Sequence, residues 1–201
     1  MLNRSQDAGL APDAETHLVE RARQGDLDAF NSLIELHQRA VYNLCLRMIG
    51  SPAAAEDSAQ DAFFSAWRAL GGFKGGNFRS WLMRIAANAC TDELRRRGRR
   101  PAASLDAPPP GADEPIDVPD AAEGPETLTL RKEQQAAIQA ALLRLPVDQR
   151  LAVVMCDIQG FAYEEIAAVA RVSIGTVKSR ISRGRDKLRV ELTRQEQLDH
   201  T

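Results

Sequence analysis

The chain has 201 residues, 44% of them hydrophobic and 5% aromatic, with a formal net charge of −2. This is enough apolar material for one or two cored domains, yet no apolar run approaches the length of a bilayer-spanning helix. Its three cysteines, Cys45, Cys90 and Cys156, are odd in number and far apart, which argues against a disulfide framework and against a CxxC metal knuckle.

The opening stretch "MLNRSQDAGLAPDAE" lacks the apolar core of a signal peptide, so a cytoplasmic protein with reduced, at least partly buried thiols is expected. From there helical periodicity dominates. Segments 15–24, 28–49, 53–70 and 77–97 read as helices, separated by Gly25-Asp26, Gly50-Ser51-Pro52 and "GGFKGG".

Within "AEDSAQDAFFSAWRAL", Ala59, Phe63, Ala66, Trp67 and Leu70 share one face and are expected in the core. Asp57, Asp61, Phe64 and Arg68 recur at i, i+4, i+7 and i+11 on another face, with Gln60 beside them. An aromatic ring set in a charged ridge suits a protein-docking surface. Glu56, Asp57 and Asp61 have no histidine nearby and no second acidic helix to complete a site, so neither metal binding nor a catalytic carboxylate pair is expected.

The following helix, in "FKGGNFRSWLMRIAANACTDELRRRGRR", turns Phe78, Trp81, Leu82, Ile85, Ala86 and Ala89 inward. On its flank Arg84, Asn88, Thr91 and Arg95 recur at helical spacing before a cationic tip. The Gly-rich loop ahead of it carries Phe73, Lys74, Asn77 and Phe78. Arginines that hold a backbone beside aromatics and amides that receive unstacked bases suit single-stranded nucleic acid. The competing reading makes Phe73, Phe78 and Trp81 ordinary core, and for Trp81 that reading is favoured.

Charge then changes sharply. Residues 101–130 hold seven acids (Asp106, Asp113, Glu114, Asp117, Asp120, Glu123, Glu126) and no base, with seven of the ten prolines between Pro101 and Pro125. Such a segment cannot bury enough surface to offset the entropy of ordering it. It reads as a flexible acidic Pro-rich linker over 99–127, between a domain at 14–98 and a smaller one at 128–193. Without those acids the remaining chain carries +5, which permits nucleic-acid binding.

Beyond the linker, segments 128–144, 148–157, 163–170 and 174–192 read as helices, which makes the fold all-α. "YEEIAAVARVSIGTVKSRISRGRDKL" reads as helix, tight turn and second helix. Ile166, Ala167, Val169 and Ala170 form an apolar patch beside an exposed Glu164-Glu165 pair, and Ser173 can cap the second helix. Val177, Ile181 and Leu188 form the inward stripe, and Ala167, Gly175 and Gly184 allow close backbone approach. Residues 171–189 hold seven bases against one acid, Asp186. A helix-turn-helix follows, with Lys178, Ser179, Ser182 and Arg183 placed for base edges and Arg171, Arg180, Arg185 and Lys187 for phosphates.

Four blocks in this order, "GDLDAFNSLIELHQRAVYNLCLRMIG", "AEDSAQDAFFSAWRAL", "FRSWLMRIAANACTDELRRRGRRP" and "LPVDQRLAVVMCDIQGFAYEEIAAVARVSIGTVKSRISRGRDKLR", resemble bacterial sigma factors of the extracytoplasmic-function type. Those proteins keep only sigma domains 2 and 4. The resemblance implies that Asp57, Gln60, Asp61, Phe64 and Arg68 bind the β′ clamp helices of core RNA polymerase, and that the smaller domain meets the β flap. It also implies that the loop Phe73–Phe78 and the helix beyond capture a flipped −10 base, and that Lys178, Ser179, Ser182 and Arg183 read the −35 duplex. An anti-sigma protein is the further partner it implies, with no cofactor, no metal and no membrane insertion. Ser182 stands where some members carry an aromatic residue, so no −35 sequence preference carries over. The rival reading is a stand-alone helix-turn-helix regulator that acts without polymerase.

Overall fold

The structure, a computed structural model, describes residues 12–99 and 125–199. The acidic Pro-rich segment expected as a linker lies almost wholly outside the described residues, as does the start of the chain. Eight α-helices form among the described residues: α1 (Pro12–Arg23), α2 (Leu27–Ile49), α3 (Pro52–Ala69), α4 (Phe78–Arg99), α5 (Pro125–Leu143), α6 (Val147–Val153), α7 (Tyr163–Ala170) and α8 (Ile174–Asp199). No strand occurs among them. A 3-10 turn over Leu70–Gly72 extends α3, and a π turn over Val154–Ile158 extends α6. The helix bounds lie close to the expected ones, except that α8 runs on to Asp199, well beyond 192.

The breaks between helices have local causes. Asp26 caps α2 by accepting from the Ala29 N–H at 3.0 Å, and Arg21 reaches the same carboxylate at 2.6 Å. Those two donors hold the Asp26 carboxyl below its usual range. Gly50 ends α2 at φ 80°, a left-handed conformation that a side chain would strain, and Pro52 opens α3 at a position where its missing N–H costs nothing.

Helices α2, α3 and α4 make the first core, with α1 laid against α2. Helix α3 contributes a face of small residues, Ala54, Ala55, Ser58, Ala59, Ala62 and Ala66, so its neighbours come close. Leu33, Leu44, Met48, Leu82 and Met83 fill the space between. Phe63 and Trp67, expected in the core, are half-buried at its margin, where Trp67 meets Phe30 at 4.9 Å between ring centroids. On α4 the buried stripe is centred on Leu82, Met83, Ala86, Ala87 and Cys90. Trp81, Ile85 and Ala89 flank it half-buried, so the true stripe is rotated from the expected one. Met83 and Ala87 were not expected inside.

The second group packs α8 across α6 and α7. Val177 and Ile181 are buried, and Gly184 lies at the crossing with α6, where an added Cβ would sit 2.6 Å from Val153 Cγ2. At Gly175 an added Cβ would meet only the Ser173 hydroxyl at 3.8 Å, an ordinary contact, so contrary to expectation no close backbone approach depends on this glycine. The turn between α7 and α8 passes through Arg171 at φ 53°, the one non-glycine residue with positive φ among those described. Ser173 caps α8 as expected, its hydroxyl accepting from the Thr176 N–H at 3.1 Å.

The two groups pack directly on each other, and their buried apolar residues form one continuous cluster. Arg150 on α6 is 6% exposed and donates to the Met48 carbonyl of the first group and to the Leu143 and Leu145 carbonyls of its own, the last two at 2.6 and 3.0 Å. Bonds from a charged donor are each worth roughly 1.5–3 kcal/mol, against which the guanidinium's desolvation must be set. Gln139 on α5 donates to the Leu46 carbonyl at 3.1 Å and accepts from Arg47 at 3.0 Å. At Gly50 the fit is close enough that a Cβ would lie 2.4 Å from a Leu143 methyl.

Candidate nucleic-acid interface

Three surfaces carry the residues singled out by sequence. The first is the outer face of α3. Asp57, Gln60, Asp61, Phe64 and Arg68 are all exposed there, the Phe64 side 66% so, and none of the four polar members forms an ion pair among the described residues. The opposite alanine face is consumed in packing, so this ridge is free to meet another molecule.

The second surface is a pocket of about 330 Å³ at the start of α4. Phe73, Lys74, Asn77, Ser80, Trp81 and Arg84 line it on one side, and Ala168 and Val169 of α7 on the other. Phe73 and Phe78 are 7% and 5% exposed and stack with Trp81 at centroid distances of 5.2 and 5.5 Å; Phe78 also meets His37 at 5.6 Å. Their rings thus build the pocket floor and the core beneath it. Lys74 and Asn77 are exposed at the rim, and Arg84 is half-buried in the wall.

Asn77 also holds a structural post. Its Oδ1 accepts from the Ser80 N–H at 2.9 Å and its carbonyl from the Trp81 N–H at 3.1 Å, which makes it the cap of α4. The loop reaches that cap through Gly75 and Gly76 at φ 89° and 95°. Asn88 lies one turn beyond Arg84 and Arg95 three turns beyond, both exposed and outside the pocket. Arg95 pairs with Asp92 at 3.3 Å. Arg96 and Arg97 both grip Glu93; burial alone would raise that carboxyl's pKa, but the two guanidinium bonds outweigh it and hold it low.

The third surface is the outer face of α8. Lys178, Ser182 and Arg183 are exposed there on consecutive turns, and Arg171 is exposed at the turn before it. Ser179 is half-buried and donates to the Thr176 carbonyl at 2.9 Å. Arg180 and Arg185, expected to clamp phosphates, hold carboxylates of their own chain: Arg180 meets Asp148 at 3.0 Å and Arg185 grips Asp157 through two nitrogens. The Asp157 bonds push the Arg185 pKa up. These two arginines fasten α8 to α6 and its π turn.

Among the described residues no group of three His, Cys, Asp or Glu side chains could hold a metal ion, and no helix is long and apolar enough to cross a membrane.

Residues 33–100 match the family model for Sigma-70 region 2, and residues 135–188 that for Sigma-70 region 4. The chain is 38% identical over 184 residues to the RNA polymerase sigma-H factor of Pseudomonas aeruginosa, covering 89% of this chain and 94% of that protein. It is a sigma factor of the extracytoplasmic-function type. The ECF RNA polymerase sigma-E factor of Escherichia coli K12 is likewise 38% identical over 173 residues, 85% of this chain and 90% of that one. Among solved structures, CnrH in complex with the cytosolic domain of CnrY aligns with a TM-score of 0.65 at 29% identity, covering 90% of this chain and 98% of CnrH. RpoE in complex with the anti-sigma factor NepR from Bartonella quintana aligns at 0.61 and 28%, covering 82% and 96%.

Within this sigma factor the pocket includes Gly72, Ser80 and Ala168, which sequence reasoning passed over. Ser80 stands three places after an asparagine that precedes a helical run, a capping pattern that marks both residues as first-turn neighbours. Ile174, 39% exposed at the first turn of α8, was also passed over. Its position is where a helix-turn-helix brings side chains nearest the bases.

Proposed function

We propose a division of labour for this alternative sigma factor in directing promoter-specific transcription initiation. The α3 ridge of Asp57, Gln60, Asp61, Phe64 and Arg68 docks on the β′ clamp helices of core RNA polymerase. The pocket at the start of α4, with Lys74, Asn77 and Arg84 at its rim and wall, receives a base of the melted −10 strand, and Asn88 and Arg95 extend that path. Helix α8 reads the −35 duplex through Lys178, Ser179, Ser182 and Arg183 with Arg171 on phosphate, and its group meets the β flap. The chain works in the cytoplasm and performs no chemistry of its own; phosphodiester formation belongs to the polymerase. An anti-sigma protein holds it inactive, a reading supported by the structural neighbour RpoE, which is solved in complex with the anti-sigma factor NepR.

The observation that carries this reading is the α3 ridge: a ring 66% exposed amid acids that form no ion pair among the described residues, on a chain that also bears a helix-turn-helix. A regulator acting alone has no use for such a ridge. Gel filtration with bacterial core polymerase tests it. Co-elution is expected for the chain and lost in Asp61→Arg, whose melting temperature stays unchanged because Asp61 is exposed and forms no ion pair among the described residues. Equal co-elution of both proteins would refute the docking assignment, and tight duplex binding with no affinity for polymerase would favour the stand-alone regulator.

A further inference from the structure

We infer that Ile174 is a specificity residue of the reading helix, whose side chain meets the C5-methyl group of a thymine at one end of the −35 duplex. This rests on the reading of α8 as the duplex-reading helix given above, and it names one base contact within that reading.

Ile174 opens α8 and is 39% exposed. The apolar side chains around it are accounted for inside the protein: Val177 and Ile181 are buried, and Val172 and Leu188 pack against the core. Val190, also exposed, lies sixteen positions on, about 24 Å along the helix, too far to share a contact with it. A lone exposed apolar side chain needs no partner as such. Ile174 differs in its company. It lies in register, at i, i+4 and i+8, with Lys178 and Ser182, both exposed. A β-branched residue is also a poor choice for an exposed helix position, where no packing offsets its lost rotamers.

The first turn of α8 offers an incoming molecule little else. The Ser173 hydroxyl caps the helix and lies 2.9 Å from the Thr176 hydroxyl, and Ser179 donates to the Thr176 carbonyl. Gly175 bears no side chain, and nothing in the chain crowds it. No internal contact therefore asks for glycine there, although glycine weakens a helix. Its missing side chain leaves Ile174 beside bare backbone, a shape that a base pair can approach.

Charge selects the occupant. Arg171, three residues before Ile174, and Lys178, four after it, form no ion pair among the described residues. No acid occurs between Arg171 and Arg185. An apolar side chain flanked by cations alone suits a polyanion that carries a methyl group. In the major groove of duplex DNA that group is the thymine C5-methyl, for which apolar side chains are the matching partners. At 1.5 Å of rise per residue, Ile174 and Lys178 stand about 6 Å apart along the helix, roughly two base-pair steps of about 3.4 Å. The thymine therefore sits about two base pairs from the base that Lys178 meets.

Thymine and uracil differ only in that methyl, which supplies the test. The full-length chain bound to core polymerase first selects duplexes from a library randomised across the −35 region. Each thymine of the selected element is then replaced in turn by deoxyuridine, and competition binding is measured for wild type, Ile174→Ala, Ile174→Val and Lys178→Ala. Ile174→Ala leaves the buried core untouched, so its melting temperature stays close to that of wild type. One replacement is expected to weaken wild type about fourfold, as loss of one buried methyl-sized group does, and to have no effect on Ile174→Ala. Ile174→Val should keep part of the methyl sensitivity. Lys178→Ala should bind every duplex more weakly and keep all of it. A merely structural role for Ile174 would lower binding to the thymine and uracil duplexes alike and leave their ratio unchanged. Persistence of the wild-type ratio in Ile174→Ala would overturn the inference and leave the proposed function standing, as would a wild type indifferent to every replacement. Ile174→Ala binding both duplexes as tightly as wild type binds the thymine duplex would also overturn it and give the side chain to a protein partner. Selection of no −35 sequence at all would remove the duplex-reading assignment of α8, and this inference with it.

Discussion

Gly184 is the point at which one methyl group tests the packing of the reading helix. Replacing a helical glycine by alanine ordinarily stabilises a protein by about 1 kcal/mol through helix propensity. Here the new Cβ would lie 2.6 Å from Val153 Cγ2 and 3.4 Å from the Gln149 carbonyl oxygen. Val153 is 2% exposed, and its branched side chain has little rotamer freedom with which to retreat. Overpacking of this kind costs about 1–3 kcal/mol, so Gly184→Ala is expected to cancel that gain and to destabilise by up to about 2 kcal/mol net. Val153→Ala removes the clashing methyl and costs about 2 kcal/mol alone as a cavity. In the double variant the two changes compensate, with a favourable coupling of about 1 kcal/mol or more. Urea denaturation of the four proteins measures the cycle, and the −35 duplex affinity should fall in Gly184→Ala and recover in the double variant. A Gly184→Ala chain about 1 kcal/mol more stable than wild type would show that propensity alone operates there, and would refute the close crossing of α6 and α8.

Arg171→Gly should separate folding from binding at the helix-turn-helix. The left-handed conformation at φ 53° costs a non-glycine residue about 1–2 kcal/mol, part of which glycine forfeits through its freer unfolded chain, so a gain of roughly 0.5–1 kcal/mol in urea stability is expected. If Arg171 contacts phosphate, duplex affinity falls in the same variant and its salt slope drops by about 0.9; an unchanged slope removes that contact. The cysteines should prove poor redox sensors. Cys90 donates to Cys45 at 3.4 Å in the core, and that bond and burial push its thiol far up, while burial and Asp157 raise Cys156. A chromogenic disulfide reagent at neutral pH should reach Cys156 alone, and slowly, in the folded chain, and all three thiols in denaturant; rapid titration of Cys45 or Cys90 would contradict the buried pairing.

Much of this protein is local and was therefore legible in the order of its residues. Helix positions followed from apolar periodicity and from breakers such as Gly50 and Pro52, because backbone geometry acts over one or two turns. The α3 ridge was visible for the same reason: Asp57, Asp61, Phe64 and Arg68 share a face through helical spacing alone, while alanines occupy the face opposite. The capping role of Ser173 and the exposure of Lys178, Ser182 and Arg183 needed nothing beyond their own helix. What periodicity could not supply was the partner that each face meets. Whether Phe73 and Phe78 offer their rings to a base or spend them on Trp81 and His37 depends on helices distant in sequence. Arg180 and Arg185 read as free cations until Asp148 and Asp157 were brought beside them by the crossing at Gly184. Glu165, half-buried contrary to expectation, meets Ser80, and Arg150 meets Met48, contacts that join residues about 85 and 102 positions apart across the acidic segment. Such pairings depend on three-dimensional packing and leave no local pattern, so only the tertiary structure decided that the two helical groups close on one another.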